Sequence, residues 1–389
     1  MSPSAVSSRG TRVAVAGLLA GSLALAGCSK SASDATTPAV SSSDSAPASV
    51  APSVADSNAA QQVVTPTDPP SSAGTSQAPT AAAGCTYTQY GAPKVDLKST
   101  TVGFSQSEPE SNPFRATETK SITAEAKRLG IKLITRNANA NVDKQNQDIQ
   151  ALIAQGAKVL IVAPNNSTGL APSLAEAKSK KIPVLTIDRT VDGTACQDFI
   201  GFIGSNFLQQ AVIAADDMGG ALNGKGKVAI LQGTPGNNVA ADRTKGFVDT
   251  IKSKYPGISV VASQTANFDQ ATGQKVAAQI LQANPGLTGI YAENDGMAIG
   301  AIQAIRAAGK MPGKDIKVVG IDGIQQAVQD VANGTMVATV ETNPRFGPLA
   351  FQTLQDFYSA KGAPTKVIIK DHHFTADNAK QALTDGSVY

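Results

Sequence analysis

The most constraining feature of this 389-residue sequence is a regular alternation of short apolar segments and longer amphipathic segments from residue 100 onward. The apolar segments are rich in Val and Ile, which is typical of strands that are buried on both faces. Segment 142–155 shows the other type, since Ile149, Leu152 and Ile153 recur at the spacing of one helical face. This pattern indicates an α/β fold, in which helices cover both sides of a parallel sheet.

The alternation begins twice, which predicts two lobes with one sheet each. The predicted strands are 101–104, 131–135, 159–163, 184–188 and 199–203 in the first half, and 228–232, 259–263, 289–292, 317–321, 336–340 and 366–370 in the second. Both halves fit the doubly wound, Rossmann-like arrangement.

We expect the chain to cross between the lobes three times, near residues 204–206, Asn343 and Asp371, so that three strands form a hinge. Ligands of doubly wound sheets bind beyond the carboxyl ends of the strands, which places the expected site in the cleft between the lobes. The predicted N-terminal lobe comprises residues 85–205 and 344–370, and the predicted C-terminal lobe comprises residues 206–343 and 371–389.

The amino terminus has the pattern of an export signal. Arg9 and Arg12 precede an apolar run of about 14 residues, which is too short to span a membrane. The run ends in a motif that resembles the lipobox of bacterial lipoproteins, Leu25-Ala26-Gly27-Cys28. We therefore expect residues 1–27 to be a lipoprotein signal peptide. Lipid on Cys28 would then anchor the chain, outside the cytoplasm, to the outer face of the cell membrane.

Residues 28–84 have the composition of a tether. Of the 56 residues from 29 to 84, 40 are Ser, Ala, Pro or Thr. Such a segment cannot bury enough apolar surface to offset the entropy lost on ordering it. We expect a disordered linker between Cys28 and a folded region of about 305 residues.

The net charge restricts the classes of possible partner, and the cysteine and histidine content restricts the possible disulfides and metal sites. A formal net charge of +3 argues against nucleic acid. Two cysteines remain besides Cys28, and an even number in an exported chain suggests a Cys85–Cys196 disulfide, with two free thiols as the alternative. No Cys/His spacing is typical of a metal site, and we interpret the adjacent pair His372-His373 as structural or surface residues. The sequence therefore predicts no metal and no cofactor.

Catalytic patterns fit the sequence poorly. Residues 219–225 nearly match a phosphate-binding loop, but they end a predicted helix and lead into a strand, the reverse of the required context. Asp188 and Asp322 could form a glycosidase pair. Their Arg and Asn neighbours favour ionised hydrogen-bond acceptors instead. We expect no catalytic residues and no enzymatic activity.

Polar side chains follow the predicted strands at their carboxyl ends. Asp, Asn and Arg each make two directed hydrogen bonds, which suits neighbouring sugar hydroxyls. Phe114 and Phe268 lie in the same loops, where a ring can cover an apolar C–H face, and core packing is the alternative for both. The polar set is Ser105, Glu110, Arg115, Asp188, Arg189, Arg243, Asn294, Asp295 and Asp322.

Several short motifs carry a family resemblance. They are Phe104-Ser105-Gln106, Asn112-Pro113-Phe114-Arg115, Ile187-Asp188-Arg189, Ala241-Asp242-Arg243-Thr244-Lys245-Gly246-Phe247, Glu293-Asn294-Asp295 and Gly320-Ile321-Asp322-Gly323. In this order they resemble the ribose/galactose class of periplasmic sugar-binding proteins, the receptors of bacterial ABC importers, over about residues 102–382. Segments 102–106, 110–111, 115–119 and 312–316 are most similar to galactofuranose-binding proteins.

The resemblance implies the type I periplasmic-binding-protein fold and a monomer that works with an ABC permease and its ATPase. It implies a monosaccharide ligand, an aldofuranose such as D-galactofuranose or L-arabinofuranose. Ribose, galactose or a polyol stay open as alternatives, as does a receptor role in a signalling system.

The resemblance also assigns roles to matched residues. Phe114 would pack against the sugar ring. Glu110, which is on the same loop, would accept a hydrogen bond from the sugar. Phe114 stands where galactofuranose binders carry Trp, and Arg115 stands where ribose binders carry a second aromatic residue. Glu341-Thr342 does not reproduce the Gln of ribose binders. The residues expected to bind hydroxyls are Arg115, Asp188, Arg189, Arg243, Asn294 and Asp322, with Ser105, Phe268 and Thr342 as further candidates.

Overall fold

A computed structural model describes residues 84–359 and 361–389 and the backbone of Val63–Val64. The predicted signal peptide, the predicted lipidation site Cys28 and most of the predicted linker lie outside the described residues. Within the part that the structure describes, no helix has both the length and the apolar character needed to cross a membrane.

Strands and helices alternate through almost the whole described chain. The strands, numbered along the chain, are β1 Val63–Val64, β2 Thr101–Gln106, β3 Lys132–Asn137, β4 Val159–Val162, β5 Val184–Ile187, β6 Phe202–Gly204, β7 Lys225–Gln232, β8 Gly257–Thr265, β9 Gly289–Ala292, β10 Lys317–Asp322, β11 Ala338–Glu341, β12 Lys366–Ile369 and β13 His373–Thr375. The helices are α1 Tyr87–Tyr90, α2 Pro113–Leu129, α3 Val142–Ala154, α4 Ala171–Ser179, α5 Phe207–Ala221, α6 Asn238–Lys254, α7 Gln270–Ala283, α8 Asp295–Ala307, α9 Gln325–Ala332, α10 Gly347–Tyr358 and α11 Ala379–Asp385.

The first sheet has the strand order β1-β12-β6-β5-β4-β2-β3, and every pairing except that of β1 is parallel. Alternate residues of the central strand β4 face opposite layers. Val159 and Ile161 pack in the core that includes α2 and α10, whereas Leu160 and Val162 pack against α3 and α4. All four side chains are fully buried, as expected for a parallel strand that is covered on both faces.

The second sheet has the order β13-β11-β10-β9-β7-β8, with β13 antiparallel and the other strands parallel. Helices α5 and α6 cover one face, where Val319 and Ile321 of β10 are buried. Helices α7, α8, α9 and α11 cover the other face, where Val318 is buried. The predicted fold class is therefore confirmed.

The chain passes between the sheets at residues 205–206, 342–346 and 370–372. The lobe boundaries predicted from the sequence stay a proposal, which this sheet membership supports. The predicted strands agree with the observed ones to within about three residues at each end, except that segment 199–203 forms a strand only at Phe202–Gly204. The first residues of this segment belong to a loop, in which the backbone N–H of Cys196 donates to the carbonyl of Phe199. Two observed strands were not predicted: β13, and β1, which lies within the predicted linker and pairs with β12.

The start of the folded region is fixed to the first sheet's lobe at two points. Cys85 and Cys196 form a disulfide whose Cα atoms are 5.4 Å apart. Cys85 also exchanges two backbone hydrogen bonds of 2.7 Å with Ala363. Because the disulfide spans 111 residues of sequence, it restricts a long loop in the unfolded chain.

Reduction of this disulfide is expected to lower the free energy of unfolding by about 2–4 kcal/mol, through the added entropy of the unfolded chain. Denaturant unfolding with and without reductant measures the difference. A C85S/C196S double variant serves as the control, because it should unfold like the reduced protein under both conditions. A wild-type midpoint that does not respond to reductant would contradict the expectation.

Candidate ligand-binding site

A small cavity lies between the two lobes, at the carboxyl ends of both sheets' strands. We call it the interlobe cavity. Its volume is about 20 Å³, close to what one water molecule requires. Residues of both lobes line it: Glu108, Asn112, Phe114, Arg115, Asp188, Arg189, Val239, Arg243, Phe268, Asn294, Asp322 and Thr342.

Arg115 lies at the centre of one wall, in the first turn of α2. This helix begins at Asn112, whose side chain accepts from the backbone N–H of Phe114, and Pro113 favours the first turn. Arg115 is 2% exposed, and each guanidinium nitrogen donates to a different carboxylate. The acceptors are Glu108 at 3.0 Å, Glu118 at 2.8 Å and Asp188 at 2.7 Å. Since a guanidinium has five N–H groups, two of them stay available to a ligand.

Glu108 is the carboxylate that the sequence reasoning missed. It accepts from Nη2 of Arg189 at 2.8 Å as well as from Nε of Arg115. Burial alone would raise the pKa of Glu108, but Arg189 and Arg115 hold it at about 2. This carboxyl group is therefore ionised throughout the physiological pH range and bridges two arginines of the cavity wall.

Glu110, predicted as the acceptor on this loop, does not line the cavity. The chain turns after Glu108, with the N–H of Asn112 bonded to the carbonyl of Pro109, and this turn leaves Glu110 exposed to solvent. Ser105 does not line the cavity either. Its buried hydroxyl lies near α3, where it accepts from the side chain of Gln145 at 3.2 Å.

Arg243 of α6 forms the opposite wall. Its Nη2 donates to the hydroxyl of Thr342 at 2.6 Å and to Asp322 at 3.3 Å, and its Nη1 donates to the carbonyl of Glu293. Burial raises the pKa of Asp322 to about 6, although Arg243 opposes the shift. The cavity therefore contains a second arginine–carboxylate pair on the second lobe.

Asp188 and Asp322 both adopt positive φ, 62° and 135° respectively, just beyond or at the end of a buried strand. Non-glycine residues rarely have such values and incur a local energetic cost, which the surrounding structure must offset. Residues of this kind cluster at ligand sites. Both carboxylates are thus aimed by an unusual backbone rather than by side-chain rotation alone.

Two phenylalanines and an asparagine complete the lining. Phe268 lies under the Arg189 guanidinium, 5.4 Å from the ring centroid, and is itself held by a hydrogen bond from Asn294 to its carbonyl. Phe114 packs edge-on against Phe346 and Tyr389. The side-chain amide oxygen of Asn294 accepts from the backbone N–H of Met297 and so caps α8. Both rings therefore have one face in the core and line the cavity as well.

The structure thus brings most of the predicted residues together. Lining residues that the sequence reasoning did not select are Glu108, Asn112 and Val239. The predicted residues that line the cavity are Phe114, Arg115, Asp188, Arg189, Phe268, Arg243, Asn294, Asp322 and Thr342.

The charges in the cavity wall cancel formally. Among the lining residues, three arginines face three carboxylates, Glu108, Asp188 and Asp322, so the lining itself has no formal excess of either sign. Glu118 pairs with Arg115 behind the lining, and burial raises the pKa of this carboxyl group to about 7. An anionic ligand would pair with the arginines and leave carboxylates without partners, and a cationic ligand would leave arginines without partners. The arrangement therefore favours an uncharged ligand that carries many hydroxyl groups, each of which can both donate and accept.

A hydrogen-bond network joins the Arg243 wall to the crossings between the lobes. Gln210 accepts from Arg243 at 3.0 Å, and its amide donates to Thr342 at 3.0 Å and to Asp371 at 2.8 Å. The Asp371 carboxylate also accepts from the Ser205 hydroxyl at 2.9 Å and from the Asn343 N–H at 3.4 Å. Asp371 therefore connects all three crossings, and Gln210 links them to a lining residue of the cavity.

The two lobes also contact each other directly on one side of the cavity. The N–H of Ser167 donates to the carbonyl of Gly236 at 2.9 Å, and the N–H of Thr190 donates to the side chain of Asn238 at 3.1 Å. With these contacts the lobes are held against one another. A ligand larger than a water molecule therefore requires the lobes to separate and the ion pairs in the cavity to rearrange.

Comparison with known proteins agrees with this architecture. Residues 102–362 match the periplasmic binding protein domain. The galactofuranose-binding protein YtfQ of Escherichia coli is 35% identical over 288 residues, which cover 73% of this chain and 90% of that protein. The ribose import binding protein RbsB of Bacillus subtilis is 33% identical over 265 residues, which cover 68% of this chain and 83% of that protein.

A solved structure shows the same likeness. It is the periplasmic binding protein component of the arabinose ABC transporter from Shewanella sp. ANA-3, bound to α- and β-L-arabinofuranose. It is 35% identical and superposes with a TM-score of 0.70, covering 74% of this chain and 97% of that chain.

Two doubly wound sheets, three crossings and a polar cavity at the strand ends define a two-lobed solute-binding protein. This chain belongs to the periplasmic binding protein family. The resemblance expected from the sequence motifs is confirmed, as is the expectation of a binding protein rather than an enzyme.

Burial around the cavity and the crossings also affects stability. It raises the pKa of several carboxyl groups far above the usual value near 4. The raised pKa values are about 6 for Asp322 and about 7 for Glu118, Glu293, Asp295 and Asp371. The folded state therefore binds protons more tightly than the unfolded state between about pH 4 and pH 7, and stability is lost as pH rises through the folded pKa values.

We expect the protein to be more stable at pH 5.5 than at pH 8, as measured by urea midpoints at the two values. An E293Q variant should show a smaller difference, since the amide can keep the hydrogen bonds of Glu293 to Gly233 and Thr244 but does not titrate. A higher midpoint at pH 8 would contradict the expectation.

Proposed function

We propose that this chain is the extracytoplasmic solute-binding protein of a carbohydrate ABC importer, held at the membrane by lipid on Cys28. Its ligand is a monosaccharide in furanose form, D-galactofuranose or L-arabinofuranose. The single observation that carries this proposal is the balanced set of three arginines and three carboxylates in the interlobe cavity.

The chemistry of these groups suits a sugar. When a ligand enters, the charged pairs exchange part of their mutual hydrogen bonds for bonds to hydroxyls, so no charge is left unpaired. Phe114 and Phe268 offer ring faces to the apolar C–H surface of a sugar. The cavity thus supplies both kinds of contact that a neutral carbohydrate requires.

The furanose assignment rests on likeness and on Arg115. Two relatives named above bind galactofuranose or arabinofuranose. At position 115 a cation takes the place of a second stacking ring, so hydrogen bonds to hydroxyls replace part of a ring sandwich. Ribose is the second candidate, because the ribose import binding protein of Bacillus subtilis is also similar. Galactose, a polyol and a receptor role in signalling stay as further alternatives.

The proposed mechanism is closure of the lobes about the three crossings. The ligand binds between separated lobes and stabilises the form in which they touch, and the permease recognises that form. The network of Gln210 and Asp371 supports this mechanism, since it connects Arg243 of the cavity to every crossing. The protein acts as a monomer and binds no nucleic acid in this proposal.

Calorimetric titration of the purified protein with a panel of sugars tests the ligand. We expect L-arabinose or D-galactose to bind, and a furanose-locked methyl glycoside of the same sugar to bind more tightly than the pyranoside. Binding of ribose or inositol alone would keep the class and overturn the sugar. Absence of binding by every sugar would overturn the cavity assignment.

Glu108 and Glu110 provide a matched pair of variants two residues apart. E108Q should weaken sugar binding by about tenfold or more, because it removes the charge that pairs with two buried arginines. E110Q should bind like the wild type, because Glu110 is exposed and outside the cavity. Equal effects of the two substitutions would contradict the site. Alanine in place of Asp188 or Asp322 should likewise cost more than about 2 kcal/mol of binding free energy.

The lipid anchor has its own test. Wild-type protein should sediment with membranes and enter the detergent phase on phase partitioning, because an acylated chain is held by the hydrocarbon layer. A C28S variant should lose this behaviour, and C85S serves as the control for a cysteine substitution that leaves the anchor intact. A C28S protein that stays in the detergent phase would contradict lipidation at this residue.

A further inference from the structure

A groove much larger than the interlobe cavity continues from it over the second lobe. The groove has a volume of about 780 Å³, within the range of small-molecule sites, compared with about 20 Å³ for the cavity. It runs along α8, between the start of α7 and α9. Five residues line both spaces: Glu108, Asn112, Phe268, Asn294 and Asp322.

The groove is on the open side of the cleft. On the other side, the Ser167–Gly236 and Thr190–Asn238 hydrogen bonds close the lobes against each other. On the groove side, residues 109–113 of the first lobe line the same space as α7 and α8. In the described chain no hydrogen bond or ion pair joins residues 109–113 to either helix. The cavity and the groove are therefore adjacent on this side of the cleft, and the same five residues line both spaces.

The side chains of the groove are those that bind hydroxyl groups. Ile299 and Ile302 of α8 form a buried apolar floor. Above the floor are the amides of Asn267, Gln270, Gln303 and Gln326, together with Arg306. Among the described residues, the side chains of Asn267, Gln270, Gln303 and Arg306 have no hydrogen-bond or ion-pair partner. An apolar floor with free amides along it matches a sugar ring, which has an apolar face and a hydroxylated rim.

We propose that this groove is a second carbohydrate subsite, which holds a sugar unit linked glycosidically to the furanose in the cavity. The interlobe cavity then binds a furanose unit, free or at the end of a short furanoside, and the groove adds affinity for the longer ligand. This inference rests on the proposed function, because the first sugar unit occupies the interlobe cavity. The five shared residues favour this occupant, because they place the groove directly beside a sugar unit in the cavity, on the side where no hydrogen bond of the described residues closes the lobes.

Calorimetry with the full-length purified chain tests the subsite with three probes: L-arabinose, methyl α-L-arabinofuranoside, and the α-1,5-linked disaccharide of L-arabinofuranose. We expect the disaccharide to bind at least tenfold more tightly than the methyl furanoside. A Q303A/R306A variant should lose that gain and bind the methyl furanoside within twofold of the wild type. Q329A is the matched control, since Gln329 is an exposed glutamine of α9 outside the groove.

The outcomes separate the two proposals. If arabinose and the methyl furanoside bind but the disaccharide binds no better, the subsite is overturned and the proposed function stands. The wild type could also bind the disaccharide more tightly than the methyl furanoside while Q303A/R306A keeps the same difference in affinity. The groove residues then do not hold the second sugar unit, and the subsite is overturned. If no sugar of either kind binds, the proposed function itself fails. If the double variant only reduces the ATPase stimulation of the reconstituted permease, the groove is a transporter contact instead.

Discussion

The site depends on the mutual neutralisation of arginines and carboxylates that are almost completely buried. Burying an isolated charge costs a large amount of free energy, so each of these arginines and carboxylates can be buried only because it is paired with the others. Arg115 alone satisfies three carboxylates, and Glu108 in turn satisfies two arginines. Removing one partner therefore disturbs several others. The same pairing gives a wall with strong local dipoles and no net charge, which is the property that a receptor for a neutral, hydroxylated molecule requires.

A second constraint links this wall to the crossings between the lobes. The side chain of Gln210 is 2% exposed. Its amide oxygen accepts from Arg243, and its amide nitrogen donates to Asp371 at one of the crossings. An arginine that turned toward a ligand would release or tighten its bond to this amide. The geometry at the crossings would change with it, through Asp371. Binding and lobe position are in this way parts of one hydrogen-bonded system.

Much of the fold could be predicted from the sequence, because buried parallel strands and amphipathic helices have periodicities that single sequences display directly. The site residues at strand ends followed from the same reasoning, since parallel strands place their carboxyl ends at one edge. Glu108 could have been found as the first carboxylate after β2. The choice between Glu108 and Glu110 depends on a turn at Pro109, and hydrophobic periodicity says nothing about such a turn. Ser105 lies near α3 and outside the cavity lining, because adjacent residues of a strand face opposite sides of the sheet. The groove along α8 is a property of three helices packed together, and no local pattern reports it.

The attachment of Cys85 has a mechanical consequence. The disulfide to Cys196 and the backbone pairing with Ala363 both join the amino-terminal end of the folded region to the lobe of the first sheet. None of these three residues lies at a crossing between the lobes. A pull on the chain just upstream of Cys85 is therefore carried into the lobe of the first sheet, with which Val63–Val64 also pairs through β12. In the proposed mechanism the second lobe therefore moves without straining this attachment, because the attachment lies wholly on the lobe of the first sheet.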